Sequence, residues 1–321
     1  MRILFLARKK RRTRTPTHIA HALRELGHEV KLVWYGQWKR RLGERLGDWV
    51  LRRRVAALRP GLVLVWKGCI SLPLLRTLGE TYKTAVVCVD WFAELPPGVR
   101  ERARLADLFL VTNTGQLEAF RKLGIRRPVF WPQAFDEETY ASDAAVSPDL
   151  VSEVAFIGNP EPAHRQQLLE RIDRTFELKI WGRGWDVVAD KFRGIQGRQI
   201  LPQEYGAVCR AAKVIVGRDA ARDVELCFSN RLWLTLGCGG FLVTNYVPGF
   251  ETLFENHKHL VWYRSPEECV ELIGDYLGRP EDRARIAQAG CELVRQKHTY
   301  VHRARELVTL VEDLPEKTGP A

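Results

Sequence analysis

The chain has 321 residues, of which 45% are hydrophobic and 28% are charged, and this size and balance are typical of two folded domains rather than a disordered chain. No apolar run approaches the roughly 18 residues that a membrane-spanning helix needs, and the short apolar run before the N-terminal basic cluster has the reverse order of a secretory signal. The seven cysteines include no C-x-x-C pair, which argues against a disulfide framework or a zinc site and favours a reducing cytoplasm.

Positive charge is concentrated at the start of the sequence. Residues 1–60 contain 17 Lys and Arg against 4 Asp and Glu, whereas the remaining residues contain 33 against 35. A localised positive field attracts anionic partners, so an acidic glycan, a nucleic acid and an anionic membrane surface are candidates, beside a solvated basic face with no partner. The densest part is the loop predicted after the first strand, and its basic residues are the candidate group for binding an anion or an acceptor: Arg8, Lys9, Lys10, Arg11, Arg12 and Arg14.

The first half of the chain alternates between predicted strands and helices. A helix from Pro16 ends at Gly27, and a long, very basic amphipathic helix is predicted over Trp38–Leu58. Several of the other segments are apolar throughout, which is typical of strands buried on both faces of a parallel sheet. The predicted strands are Arg2–Leu6, Glu29–Trp34, Leu62–Trp66, Ala85–Val89, Leu108–Val111 and Val129–Trp131.

A segment of small and polar residues, Ala141–Leu150, is predicted to be an interdomain linker, and the alternation of strands and helices resumes after it. The strands predicted there are Glu153–Ile157, Leu178–Trp181, Lys213–Gly217, Phe241–Thr244 and His259–Trp262, and three helices, Pro266–Leu277, Pro280–Lys297 and Tyr300–Leu314, end the chain. The pattern predicts two doubly wound α/β domains, residues 1–145 and 146–321, whose loops at the carboxyl ends of the strands would face a shared cleft.

The familiar nucleotide and hydrolase motifs are missing from the sequence. There is no phosphate-binding G-x-x-x-x-G-K-[ST], no complete G-x-G-x-x-G after a first strand, no H-E-x-x-H and no G-x-S-x-G. There is also no Asp-x-Asp to hold a divalent metal on a nucleotide diphosphate. A phosphate site would therefore need arginines, backbone N–H groups and a helix N-terminus.

One segment of the second half fits that requirement. Ser229 and Asn230 are suitable N-cap residues for a helix predicted near 229–236, and Arg231 lies in its first turn, where a cation is disfavoured unless an anion lies beside it. The glycines at 237, 239 and 240 permit close approach of a ligand to the backbone. A phosphate site and an ordinary capped helix with a glycine-rich exit explain this segment equally well.

The same segment carries a family resemblance. The matching residues are Ser229–Arg231, Leu236–Phe241, Pro248–Phe254, His259–Tyr263, Ala287–Gly290, His298 with Thr299, and Arg303. The match is looser over Val154–Gly158 and Lys179–Trp185, and in the N-terminal half it rests mostly on Leu23–Val30. Over roughly 80 residues the chain resembles the CgeB-type (spore-maturation) glycosyltransferase-like proteins. This resemblance implies a GT-B fold with two Rossmann-like domains, the acceptor on the first and the nucleotide sugar on the second, and C-terminal helices that pack back toward the first domain. It implies no metal and no cofactor, since the nucleotide sugar is a substrate.

The resemblance also assigns residues. By position, Ser229, Asn230 and Arg231 would contact the donor diphosphate, while Gly239, Gly240 and the loop from Tyr246 to Gly249 would line the sugar or the nucleotide. Many related transferases bind the donor ribose with a Glu three residues after the arginine position. Here that residue is Leu234, and Glu225 could substitute only if its loop folds back.

Three further donor-side candidates follow predicted strands. Gly158–Asn159 is a donor-side turn or a plain turn, and Arg218 is a phosphate ligand or an ion-pair partner of a nearby aspartate. The segment Trp181–Trp185 could stack on a base or pack inside the domain.

Two residues are candidate catalytic bases. Asp90 follows a buried strand, so its carboxylate should reach the cleft, where it could accept a proton from an acceptor hydroxyl or simply cap a helix. His18, near the start of the first predicted helix, is the second candidate.

The leading hypothesis is a metal-independent glycosyltransferase that moves a sugar from a nucleotide donor to an anionic or surface-associated acceptor. The alternatives are a non-catalytic spore or cell-surface protein that retains the fold, for which Leu234 is the best support, and a nucleic-acid-directed glycosyltransferase. The expected location is cytoplasmic, with docking of Trp38–Leu58 to the inner membrane surface as a further hypothesis.

Overall fold

A computed structural model describes residues 1–8, 15–140, 146–195, 198–219, 221 and 223–317. The chain divides into two compact units, the first comprising Met1–Gln133 with Tyr300–Ala321 and the second comprising Ala134–Thr299. Each unit contains a wholly parallel sheet, so the prediction of two doubly wound α/β domains is confirmed.

The first unit begins with alternating strands and helices, and its six strands pair in the order β2-β1-β3-β4-β5-β6. Every residue of β3 and β4 is buried, as expected for inner strands of a parallel sheet. The elements are β1 (Arg2–Leu6), α1 (Thr15–Glu25), β2 (Glu29–Val33), α2 (Tyr35–Leu42), α3 (Glu44–Leu58), β3 (Leu62–Trp66), α4 (Leu72–Thr81), β4 (Lys83–Cys88), α5 (Pro97–Leu105), β5 (Leu108–Val111), α6 (Leu117–Lys122) and β6 (Pro128–Phe130).

The long basic helix predicted over Trp38–Leu58 is two helices. Gly43 adopts a positive φ of 76°, a conformation open to glycine, and it ends α2 immediately before α3 begins. The buried positions of α3 are Gly47, Leu51 and Val55, which recur every four residues. Leu42, Leu46 and Trp49 are exposed and do not pack on the sheet.

The second unit has five parallel strands in the order β11-β10-β9-β7-β8. Its elements are α7 (Glu137–Tyr140), β7 (Ser152–Ile157), α8 (Ala163–Thr175), β8 (Leu178–Trp181), α9 (Pro202–Ala211), β9 (Ala212–Val216), α10 (Arg231–Gly237), β10 (Leu242–Asn245), β11 (Val261–Tyr263), α11 (Pro266–Leu277) and α12 (Pro280–Lys297). In both sheets the first strand pairs with the second and the third, and the strand order therefore reverses between the first and third strands. Such a switch point leaves a crevice at the carboxyl ends of the two strands, where open α/β sheets bind ligands.

The last helix, α13 (Tyr300–Glu312), returns to the first unit. Its Arg303 is buried and donates to the Pro132 carbonyl, while the Trp131 indole donates to the Arg303 carbonyl at 3.0 Å. Of the three C-terminal helices expected to pack toward the first domain, α11 and α12 belong instead to the second unit. The predicted boundary after residue 145 also differs, because Phe135 already joins the second unit through a hydrogen bond to the His298 carbonyl.

None of the helices in the described ranges is both long and apolar enough to cross a bilayer.

We predict that Leu307→Ala lowers the free energy of unfolding by about 2–5 kcal/mol, because Leu307 is fully buried on α13 and its truncation leaves a cavity. Urea denaturation measures the loss, and the exposed Thr309→Ala on the same helix is the control, with a change of about 0.5 kcal/mol or less. Hydrogen exchange should show the lost protection in residues 1–133; a loss confined to residues 134–299 would contradict the place of α13.

Candidate functional site

The switch point of the second sheet is organised by one buried arginine. Arg165, on the first turn of α8, donates from Nε and Nη2 to the Arg218 carbonyl, at 3.0 and 2.8 Å. Its Nη1 donates to the backbone and side-chain oxygens of Asn159, at 3.0 and 2.6 Å, and to the Glu161 carbonyl. Because Asn159 follows β7 and Arg218 follows β9, Arg165 holds together the two loops that border the crevice.

A second guanidinium lies at the same edge. Arg231, the first residue of α10, stacks on the Phe156 ring with 4.6 Å between guanidinium carbon and ring centroid, and Arg165 lies 5.6 Å from the same centroid. A Cβ at Gly158 would lie only 2.7 Å from Nη2 of Arg231. The glycine that follows β7 therefore allows this arginine to reach the switch point.

Positive charge at this edge exceeds the nearby buried negative charge. Arg165, Arg218 and Asp219 are each at most 5% exposed. Burial, and then the positive charge of Arg231, lower the pKa of Arg165 to about 10. Three arginines thus meet one buried aspartate, whose carboxylate already accepts a hydrogen bond from the Ser229 N–H at 3.1 Å. An anion bound here would relieve the repulsion among the guanidinium groups.

Several shielded polar atoms at the carboxyl ends of these strands have no hydrogen-bond partner within the described part of the chain. They are two guanidinium nitrogens, one amide oxygen and one indole nitrogen: Arg218 Nε, Arg231 Nη1, Asn230 Oδ1 and Trp181 Nε1. Buried polar atoms are nearly always satisfied by protein, water or a ligand. The cluster therefore indicates a place where a polar ligand completes the hydrogen bonding.

A buried tyrosine lies beside Arg218. Tyr263, at the end of β11, donates its hydroxyl proton to the Gly217 carbonyl at 2.7 Å. Burial raises the pKa of Tyr263 well above its ordinary value, although the nearby charge of Arg218 acts in the opposite direction. The phenol therefore stays neutral and holds the loop after β9 in place.

The loop that contains Glu225 folds back toward the strand β10. The Leu226 N–H donates to the Pro248 carbonyl at 2.9 Å, and Gly249 turns the chain with a φ of 86°. A Cβ at Gly249 would lie 2.9 Å from Cγ of Glu225, which is exposed. Glu225 therefore lies beside the turn at Gly249 that follows β10.

Tyr246, at the end of β10, presents a partly exposed aromatic ring on the same side of the sheet. Its hydroxyl donates to Glu251 at 3.2 Å, and the guanidinium carbon of Arg264 lies 3.8 Å from its ring centroid. Most of the predicted donor residues therefore follow the carboxyl ends of β7, β9 and β10, and they are Gly158, Asn159, Arg218, Ser229, Asn230, Arg231, Tyr246 and Gly249.

Three further groups of sequence-predicted residues have the following places in the structure. Gly239 and Gly240 lie between the end of α10 and the start of β10, at the opposite edge of the parallel sheet, and they turn the chain rather than approach the crevice. Asn230 holds the N-cap position of α10 without a side-chain capping bond. Trp181 and Trp185 are buried in the domain, so their rings pack inside it and are not available to stack on a base.

The candidate site residues of the first unit differ in how exposed their side chains are. Asp90 is half exposed after β4 and forms an ion pair with Lys67 at 2.5 Å. His18 is only 5% exposed within α1, where it stacks on Tyr300, so it is poorly placed to accept a proton from a bound substrate. Arg8 is exposed directly after β1, whereas Lys9, Lys10, Arg11, Arg12 and Arg14 lie outside the described residues.

Sequence reasoning did not include Arg165 in the site. A signal for it was present, since Arg165 lies at helical spacing on the same buried face of α8 as Leu168, Leu169 and Ile172. A charged residue on the buried face of a helix needs a polar partner. One partner of Arg165, the Arg218 carbonyl, is more than 50 residues away in the sequence, so helical periodicity alone could not identify it.

Among the described residues, no group of three or more His, Cys, Asp and Glu side chains could hold a metal ion.

Residues 164–309 match a protein family described as glycosyl transferase-like. A search of curated proteins gave no significant match.

Solved structures resemble the whole chain at low sequence identity. Sucrose-phosphate synthase from Thermosynechococcus elongatus is 12% identical with a TM-score of 0.71, covering 97% of this chain and 98% of its own. HepE of Anabaena, solved with UDP and glucose, is 15% identical with a TM-score of 0.69, covering 98% and 100%. A glycosyltransferase from Rickettsia africae is 9% identical with a TM-score of 0.72, covering 97% and 98%. These similarities establish the fold, which is GT-B.

We predict that Arg165→Ala lowers the free energy of unfolding by about 3 kcal/mol, because several buried carbonyls lose their donor. Arg171→Ala is the matched control on the same helix, since its exposed ion pair with Glu267 should contribute about 1 kcal/mol or less. Urea denaturation compares the two variants, and equal losses would show that Arg165 does not hold the switch point together.

Proposed function

We propose that this protein, a GT-B-fold chain whose residues 164–309 match a glycosyltransferase-like family, transfers a sugar from a nucleotide-sugar donor. The donor diphosphate would lie at the switch point between β7 and β9. The observation that carries this proposal is the surplus of buried guanidinium groups there, with unpartnered donor atoms on Arg218 and Arg231.

The chemistry of sugar transfer fits this arrangement. When the bond between the sugar and the diphosphate breaks, negative charge develops on the leaving phosphate. Arg231 lies on the ring of Phe156 with Nη1 unpaired, so it can donate to a phosphate oxygen without breaking another hydrogen bond. Arg165 would contribute its positive charge and hold the site in shape, because its own N–H groups already donate to the loops on either side.

A uridine nucleotide is the first donor to test. HepE, which resembles this chain in fold, has been solved with UDP and with UDP-glucose. We propose Glu225 as the carboxylate that binds the ribose in place of Leu234, since Glu225 lies beside Gly249 on the loop that folds back toward β10. The CgeB-type resemblance over Phe228–Arg305 is consistent with a donor site in this unit.

The acceptor is proposed to be anionic and to bind the first unit. The support is that positions 1–60 contain 17 basic and 4 acidic residues, and that Arg8 is exposed after β1. Asp90 is the proposed general base, because its carboxylate is half exposed at the carboxyl end of β4.

We predict that Arg231→Ala weakens binding of UDP by roughly 10- to 100-fold, because one charge-assisted hydrogen bond contributes about 1.5–3 kcal/mol. Titration calorimetry measures the dissociation constant, with uridine as a ligand that lacks the phosphates. Arg279→Ala is the matched control, an exposed arginine of the same unit paired with Asp275, and it should bind UDP like the unaltered protein. The release of UDP from UDP-glucose, assayed with acidic glycans as acceptors, should fall in parallel with the affinity.

If Arg231→Ala kept full UDP affinity, the diphosphate would not lie at this switch point. GDP and ADP belong in the same titration, because the sequence does not name the base. Failure of every nucleotide to bind would favour the second candidate, a non-catalytic protein with this fold, which the presence of Leu234 at the usual Glu position supports.

We further propose that transfer needs no metal, because three arginines supply the positive charge that a divalent cation would otherwise supply. The dissociation constant for UDP should therefore change by about twofold or less when EDTA is added. Calorimetry in EDTA, compared with calorimetry in excess Mn²⁺, tests this expectation. Binding that tightens tenfold or more with Mn²⁺ would assign part of the phosphate charge to a cation.

A further inference from the structure

The outward surface of α2 and α3 carries large apolar side chains that the fold does not bury. Leu42 is 43% exposed, Leu46 is 48% exposed and Trp49 is 55% exposed. Large exposed hydrophobic residues elsewhere in the described chain are scattered, whereas these three fall within eight residues. A concentrated exposed apolar group indicates an interaction surface.

Helix geometry places these side chains away from the core. With about 100° per residue, Trp49 and Leu46 project from the side of α3 roughly opposite to the buried Gly47, Leu51 and Val55. Gly43 is the single residue between the two helices, so Leu42 lies two residues before the first residue of α3. We call Leu42, Arg45, Leu46, Trp49 and Arg53 the outer face.

The outer face is strongly basic. Residues 38–58 contain seven basic and two acidic residues, and the two acidic side chains already have partners. Glu44 pairs with Lys39 at 2.7 Å, while Asp48 accepts hydrogen bonds from the hydroxyls of Tyr35 and Ser71. The basic side chains that are exposed on and beside the outer face are Arg40, Arg41, Arg45, Arg52 and Arg53.

Arginine and tryptophan are combined on this surface. The guanidinium carbon of Arg53 lies 5.2 Å from the Trp49 ring centroid. Tryptophan prefers the boundary between hydrocarbon and water, and arginine extends its charge into the polar layer above. Together they match the boundary of a bilayer, which combines an apolar interior with charged headgroups.

We propose that the outer face docks the protein on a membrane surface containing anionic phospholipids, with Leu42, Leu46 and Trp49 in the headgroup–acyl boundary and the arginines on lipid phosphates. A nucleic acid would match the charge but not the three exposed apolar side chains, so the bilayer is the partner that uses both. This proposal does not depend on the proposed sugar transfer, and it is tested without a nucleotide.

The experiment is co-sedimentation of the full chain with phosphatidylcholine vesicles and with vesicles containing 30% phosphatidylglycerol. Binding is expected only to the anionic vesicles and should weaken at high salt. Leu42→Gln, Leu46→Gln and Trp49→Gln, combined in one chain, should reduce the partition coefficient about tenfold or more. The matched control replaces three exposed apolar residues of the second unit, Val151→Gln, Val187→Gln and Leu201→Gln, and should leave partitioning unchanged.

A second pair of variants separates this face from the rest of the basic region. Arg45→Gln with Arg53→Gln should weaken anionic vesicle binding about tenfold, whereas Lys122→Gln with Arg126→Gln, the loss of two charges elsewhere in the first unit, should change it little. All altered positions are exposed, so thermal unfolding should be unchanged. No binding to anionic vesicles, equal binding by all variants, or binding to duplex DNA without binding to vesicles would each overturn the proposal.

Discussion

The contact on which the second unit depends is that of Arg165 with the loops after β7 and β9. Its guanidinium is buried and donates to Asn159, Glu161 and the Arg218 carbonyl, so loops from two strands distant in the chain are fixed by one side chain. The cost of burying a cation is offset only when its donors are satisfied. This single group keeps the crevice at the switch point in a defined shape.

The burial of Arg165 also explains the electrostatics of the site. Arg231 and Arg218 are brought beside a cation that cannot move away, and Asp219 compensates only part of the charge. The positive excess is local to the edge of the second sheet, although residues outside positions 1–60 have almost balanced charge as a whole. Overall composition and local field therefore differ, because burial places a few charged groups together while the remainder lie on solvated surfaces.

The two units use their positive charge in different ways. In the second unit three arginines lie at one crevice and two of them, Arg165 and Arg218, are buried, which suits a small anion such as a diphosphate. In the first unit the arginines of α2 and α3 are exposed and interspersed with Leu46 and Trp49, which suits an extended surface. Depth of burial, rather than residue type, separates the two proposed roles.

The sequence by itself determined the strands and the fold class. The continuous apolar runs at β3 and β4, the stop at Gly27 and the proline starts of α11 and α12 are local signals, since each acts on its own neighbourhood of the backbone. Only the tertiary structure decided that Arg165 joins the site, that Gly239 and Gly240 leave it, and that α11 and α12 belong to the second unit while α13 returns to the first. These outcomes depend on pairing between strands that are far apart in the chain, such as β7 and β9. The pairing decides which strand ends lie side by side, and a local sequence pattern carries no information about it.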